Sequence, residues 1–445
     1  MTLTLLRKPL WLPLIVLTMA ALAGCASNKP YQITLMPAPD VFADGTVELL
    51  GEEDPIESIP YDGILYATDR EPAKEGDKAR YYRNERGHVL RVGVASIEVK
   101  DQVFTWEEAR RISLLKNRSN KYPLRVTKAS EIGVLKDSFN TFIEPEVLDP
   151  DPERPAREFA AMIDAKLAQS ENKDIYIYLH GYKVVFDNPI LVAAELWHFL
   201  GYDGVFIAYS WPSTPKTLAY VSDLETAAYA ARNLRLFLRY LARETQAERI
   251  HIVAYSAGTR VAITALAQLA LINAAIDRQA IQERLRLGHI ILVGSDFDIS
   301  LFGGYIVDGL MKVPGDLAIY TSKSDKALGV SRKVFARQRL GQTWDKEEMG
   351  EIVADYLRRT DNLTVIDVSD AEQADAGNGH AYFRKSPWAS SDILISLKYG
   401  LEPGERGLVT HGDWPVWQFP EDYPRRLKAT LKSANPALFG EPAAD

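Results

Sequence analysis

The residues best placed to do chemistry are a serine, an aspartate and a histidine in that chain order. Ser256 lies in Ala254-Tyr255-Ser256-Ala257-Gly258, after the β-branched run Ile250-His251-Ile252-Val253 and before a stretch rich in Ala and Leu. A serine exposed on a sharp strand-to-helix turn needs small neighbours two residues before and two after, and Ala254 and Gly258 are small. The start of the following helix aims backbone N–H groups and a partial positive charge at the serine. The same residue could instead cap that helix. As a nucleophile, Ser256 needs a base, and the base needs an acid to orient it.

Four histidines compete for the base. His380 sits in Gly377-Asn378-Gly379-His380, a loop after the last expected strand, and is preferred. His289 begins a strand and reads as structural. His411 lies in a Pro/Trp-rich C-terminal stretch and reads as a surface or packing residue. His180 ends the strand Ile175–Leu179 and reads as a support for its own loop. That loop, His180-Gly181-Tyr182, would supply one oxyanion-hole N–H from Gly181 or Tyr182, and Ala257 the other. For the acid, Asp325 follows the strand Leu317–Thr321 and is preferred, and Asp296 is the alternative.

Positioning these groups takes alternating strands and helices. Strands are expected at 64–68, 89–95, 175–179, 205–209, 250–254, 289–293, 317–321 and 363–368. Helices are expected at 191–200, 223–245, from 257 to about 275, and at 388–399. Alternation of this kind implies an α/β fold with a mostly parallel central sheet covered on both faces. Residues 61–165 read as an N-terminal extension and 170–400 as the core of one domain spanning 61–400. Residues 25–60, rich in Pro, Asp, Glu and Gly, read as a tether, and 401–445 as a C-terminal tail. Residues 100–150 carry no firm expectation.

Several segments resemble a bacterial α/β-hydrolase family of unassigned function that is esterase/lipase-like. They are Ile64-Leu65-Tyr66-Ala67-Thr68-Asp69-Arg70, His180-Gly181-Tyr182 with Phe186, Tyr209-Ser210-Trp211-Pro212-Ser213, Thr259-Arg260-Val261, Ser324-Asp325-Lys326-Ala327-Leu328 and Gly379-His380. The resemblance implies the α/β-hydrolase fold and acyl transfer by Ser256, His380 and Asp325. Two segments depart from the family's pattern. Tyr255-Ser256-Ala257-Gly258 stands where His-Ser-Met-Gly is usual, and Ser295-Asp296 where Pro-Asp is usual. The expected activity is hydrolysis of a small-molecule or lipid carboxylic ester. The alternative is a non-catalytic, membrane-anchored scaffold on the same fold.

The N-terminus speaks to location. Arg7 and Lys8 precede an apolar stretch, Leu10–Leu22, that is broken only by Thr18 and is short for a membrane span. It ends in Leu22-Ala23-Gly24-Cys25, which resembles a bacterial lipobox. Residues 1–24 are then a signal peptide, and Cys25 carries lipid that holds the protein to the cell envelope. Ala26 in place of an aspartate resembles the default for the outer membrane, facing the periplasm, if the source has two membranes. The chain has 445 residues, a net charge of −8 and no long basic block, so nucleic acid is not an expected partner. With one cysteine and no His-Glu-x-x-His run, neither a metal nor another cofactor is expected.

Overall fold

In the computed structural model, the described residues are 31–434, apart from 44, 46, 48, 49, 144, 216–219, 336, 343 and 345. Cys25 and the signal-peptide reading lie outside them. In chain order the elements are β1 (Ile33–Thr34), β2 (Ile64–Pro72), β3 (Tyr82–Val99), α1 (Trp106–Ser113), β4 (Pro123–Val134), α2 (Arg154–Gln169), β5 (Asp174–Leu179), α3 (Asp187–His198), β6 (Val205–Ser210), α4 (Tyr220–Glu244) and β7 (Arg249–Tyr255). There follow α5 (Gly258–Ile272), α6 (Arg278–Leu285), β8 (Leu287–Val293), α7 (Ile299–Val307), β9 (Asp316–Thr321), α8 (Lys326–Phe335), α9 (Lys346–Arg359) and β10 (Leu363–Asp367). The chain closes with α10 (Tyr382–Lys385), α11 (Pro387–Tyr399), β11 (Val409–Thr410), β12 (Trp417–Gln418) and α12 (Tyr423–Ala434).

The described strands form one sheet in the order β1-β4-β3-β2-β6-β5-β7-β8-β9-β10-β12-β11. From β2 across to β12 all neighbours are parallel. The pairs β2–β3, β3–β4, β4–β1 and β12–β11 are antiparallel. Ile175 to Leu179 are all buried, as are Val205 to Ser210. Successive residues of a strand point to opposite faces, so both faces of the sheet are covered. This is the α/β-hydrolase architecture expected from the sequence.

The strand order reverses at β5. The connection from β5 leads to β6 on one side, and β7 and β8 lie on the other. Loops leaving β5 and β7 diverge there and open a crevice at the carboxyl ends of the strands, where ligands of open α/β sheets bind. His180-Gly181-Tyr182 and Ser256 stand on its two sides.

The expected tether and tail fold otherwise. From residue 31 on, the first is packed against the domain: Met36, Ala38, Val41 and Phe42 are buried, and β1 pairs with β4. The amide of Met36 donates to the buried Glu195 carboxylate at 2.7 Å. An extended segment crossing helices buries its apolar residues without regular spacing, so no period marks it in the sequence. The tail, as far as residue 434, buries Leu408, Val416, Phe419, Tyr423, Leu427 and Leu431. Its strand β12 extends the sheet alongside β10, and Arg406 forms a buried ion pair with Asp392 at 2.7 Å. The extension 61–165 is likewise continuous with the core sheet, through β2 against β6. No helix among the described residues is long and apolar enough to cross a membrane.

Candidate active site

The turn between β7 and α5 carries Ser256 at φ 53°. That left-handed conformation costs a non-glycine residue about 1–2 kcal/mol and persists only where its surroundings enforce it. Here they do. The Ser256 amide donates to Val293 O at 2.9 Å, and its carbonyl accepts from Thr259 N and Thr259 Oγ1 at 3.0 and 2.6 Å. Gly258 is required by space, because a Cβ there would lie 2.4 Å from His180 O. Ala254 is fully buried at the end of β7, beside Leu179.

His380 Nε2 lies 2.7 Å from Ser256 Oγ, and its Nδ1 lies 2.6 Å from Asp325 Oδ2. All three residues are buried. An ionised carboxylate only accepts, so Nδ1–H donates to Asp325 and Nε2 is left to accept the serine hydroxyl proton. The other oxygen, Asp325 Oδ1, accepts the Leu328 amide at 3.0 Å in the first turn of α8. The loop to His380 is pinned against that turn: Lys326 N donates to Asn378 O at 3.0 Å. Gly379 has φ 67°, and a Cβ there would meet Ser324 O at 2.3 Å. Tyr382 Oη donates to Tyr320 O at 2.8 Å and accepts the Gly294 amide at 2.7 Å. Gly294, at φ 54°, faces the imidazole, and a Cβ there would lie 3.1 Å from His380 Cε1 and Nδ1.

Across the crevice, Gly181 approaches so closely that a Cβ on it would lie 2.9 Å from Ser256 Cβ. The loop is braced from below. The His180 ring stacks on Trp211, with centroids 5.3 Å apart and planes 6° apart. Its nitrogens face Gly181 O and Trp211 O at 2.7 and 3.0 Å, and Trp211 Nε1 donates to His180 O at 2.7 Å. Beneath lies Arg70, fully buried. It donates to Ser210 Oγ at 2.9 Å, Asn84 Oδ1 at 2.6 Å and Val184 O at 2.9 Å, and reaches His180 Nε2 at 3.4 Å. Ser213 Oγ also donates to Val184 O, at 3.0 Å. Burial pulls the Arg70 guanidinium down to about 9. Burial, with Arg70 beside it, pulls His180 down to about 3.

Residues 156–396 match a family model described as "Alpha/beta hydrolase of unknown function (DUF900)". The chain belongs to this family. The matched DUF900 span includes Ser256, Asp325, His380 and the Gly181 loop, whereas Arg70 lies outside it. No curated protein matches. Two solved structures are similar over part of the chain. One is esterase B from Lactobacillus rhamnosis inhibited with a C4-C4 SN3 tributyrin phosphonate. It is 12% identical over 52% of this chain and 76% of that one, with a TM-score of 0.26. The other is the same esterase inhibited with a C6-C4 SN3 compound, at 12% identity over 61% and 82%, with a TM-score of 0.26.

The alternatives read from the sequence of this DUF900 member stand elsewhere. Asp296 faces Arg260 Nε at 3.1 Å, Ser331 Oγ at 2.5 Å and Arg339 Nε at 3.7 Å. It ties α5, α8 and the 338–342 loop together, while Asp325 occupies the place beside His380. His289 lies near the amino end of β8, away from the carboxyl ends that carry Ser256, stacked on His251 at 5.2 Å, and burial holds it near 3. His411 is exposed beside β11. Sequence reasoning missed Gly294, Tyr382 and the bracing role of Arg70. A glycine directly after an apolar strand was the available signal for Gly294. Among the described residues, no group of three or more His, Cys, Asp or Glu side chains could hold a metal ion.

Proposed function

We propose that this DUF900 hydrolase is a serine carboxylic ester hydrolase that works from a membrane surface, held there by lipid on Cys25. The observation that carries the catalytic reading is the hydrogen-bonded chain Ser256 Oγ, His380 Nε2, His380 Nδ1, Asp325 Oδ2 at a positive-φ elbow. His380 takes the hydroxyl proton as Ser256 Oγ attacks the ester carbonyl carbon. The oxyanion forms between the start of α5, at Ala257 N–H, and the loop N–H groups at Gly181 and Tyr182. His380 then returns its proton to the leaving alcohol, and the acyl group stays on Ser256. Water enters, gives a proton to His380 and attacks the acyl carbon, which releases the carboxylic acid and restores the serine. Asp325 holds the imidazole orientation and steadies its charged form. The lipobox-like Leu22-Ala23-Gly24-Cys25 supports the anchored location, in the cell envelope and at the outer membrane if the source has two.

A fluorophosphonate probe tests the nucleophile. Wild type should be labelled and should hydrolyse a short-chain aryl ester. Ser256→Ala should take no label and lose at least about a thousandfold in kcat, with its thermal midpoint little changed. Equal labelling of the variant removes Ser256 as nucleophile. Neither labelling nor turnover by the wild type makes the binding-scaffold reading the better one.

A further inference from the structure

Away from Ser256, a cleft of about 400 Å³ opens between Thr34–Pro37, the segment 116–122 and the end of α10. Lys116, Arg118, Lys121, Arg384 and Lys385 line it, and no carboxylate does. Three carboxylates reach these cations from outside the lining. Asp40 and Glu372 pair with Lys116, and Glu195 pairs with Arg384. Five cations against three carboxylates leave two positive charges, in a chain whose net charge is −8. Arg118 spends its N–H groups on the carbonyls of Leu35, Met36, Ile112 and Ser113, so it offers charge rather than donors. Lys121 and Lys385 are exposed, and among the described residues neither has a carboxylate within ion-pair distance. Two ammonium groups beside a fixed guanidinium suit a small oxyanion, above all a phosphate, which takes several charge-assisted hydrogen bonds at once.

We propose that this cleft binds the phosphate of an anionic lipid headgroup. The proposal rests on the lipid anchor at Cys25 put forward above, and chain length connects the two. Thr34, which begins one wall of the cleft, is nine residues from Cys25. Nine residues span at most about 30 Å when fully extended. An anchored chain therefore keeps this cleft within about 30 Å of the headgroups and cannot carry it off into solution. The surface of a bilayer that contains anionic lipid attracts each nearby basic group by about fivefold in partition. The lipid would dock the domain on one face.

Lysine footprinting of the full mature lipoprotein tests this. The protein is reconstituted in vesicles of phosphatidylcholine, alone or mixed with phosphatidylglycerol, and treated with an amine-acetylating reagent. Lys78, exposed on the β2–β3 turn, is the internal reference. Labelling of Lys121 and Lys385 should fall about fivefold or more in the anionic vesicles, with Lys78 unchanged. Equal labelling in both vesicles overturns the proposal. Protection by inorganic phosphate in phosphatidylcholine vesicles, with none added by phosphatidylglycerol, overturns the lipid assignment in favour of a soluble phosphate. Protein that stays off phosphatidylcholine vesicles, yet binds phosphatidylglycerol vesicles with both lysines protected, keeps the cleft and fails the anchor. Protein that binds neither overturns both.

Discussion

Arg70 is a buried guanidinium that, among the described residues, has no carboxylate at ion-pair distance, and replacing it separates two effects that usually travel together. In Arg70→Met, Ser210 Oγ and Asn84 Oδ1 lose their donor, while Val184 O keeps the Ser213 hydroxyl. Orphaned buried groups cost about 1–3 kcal/mol each, and less for the half-buried Asn84, so the loss is roughly 2–5 kcal/mol. The substitution also removes a desolvated charge. The fall of the guanidinium from 12.5 to about 9 corresponds to roughly 5 kcal/mol, at about 1.4 kcal/mol per pKa unit. The two partly cancel, and urea unfolding at pH 7 should place Arg70→Met within about 3 kcal/mol of wild type. Arg70→Lys keeps the buried charge and loses the planar fork, because one ammonium cannot reach three acceptors spread around it. It should be the less stable of the two. Both should lose about tenfold to a hundredfold in kcat/KM on an aryl ester, because the loop carrying Gly181 and Tyr182 loses its brace. A Lys variant more stable than the Met variant, or a Met variant with wild-type turnover, refutes the reasoning.

Four further outcomes are expected. Asp325→Asn should lower kcat by about 10³–10⁴. Asp296→Asn should stay within about tenfold of wild-type activity but lose about 1–3 kcal/mol of stability, because the half-buried Arg260 and the buried Arg339 each lose a charged partner; the reverse pattern in urea melts and ester assays would make Asp296 the acid. Gly294→Ala forces a positive φ on alanine and a Cβ against the imidazole, so kcat should fall about tenfold or more for about 1–2 kcal/mol of stability; an unchanged kcat would show that the ring has room to move. Burial holds His198 at about 4, against 6.5 for an exposed imidazole, so the unfolded chain takes up a proton that the folded one refuses as pH falls below 6.5. Wild type therefore loses stability from pH 6.5 toward 4, and His198→Phe should remove up to about 1.4 kcal/mol per pH unit of that loss; parallel curves for the two proteins would contradict it.

The centre of the molecule was legible because parallel strands buried on both faces read as continuous apolar runs. Ile175–Leu179 and Val205–Tyr209 could be little else. Ser256 was legible from its small neighbours, and His380 and Asp325 from chain order and strand ends. The flanks were not. β4 carries Thr127, Lys128, Ser130 and Glu131 because part of it faces solvent near the edge of the sheet, and that mixture reads as loop. β3 runs to 18 residues, and only its buried middle, 89–95, showed in the sequence. Helices α6 to α9 fall where no clear period was read. Arg70 carries the general expectation that arginine belongs on a surface. Only its contacts show that it sits beneath the loop opposite the nucleophile.

The packing of residues 31–42 has a consequence for the order of assembly. The Val41 amide donates to Ser391 Oγ at 3.1 Å, across 350 positions of sequence. The turn Asp40–Phe42 rests on α11 and α12. The N-terminus emerges first, whether from the ribosome or across a membrane, so Val41 appears 350 positions ahead of its partner. Throughout that interval Val41 and Phe42 have nowhere to bury. β1 can dock on β4 early, but Val41 and Phe42 are thus among the last residues to dock, and an emerging chain exposes them until its final helices exist. Premature release or a stop before α12 would leave the two ends unclosed on a sheet otherwise able to form, a species prone to stick to its own kind rather than one merely missing a tail.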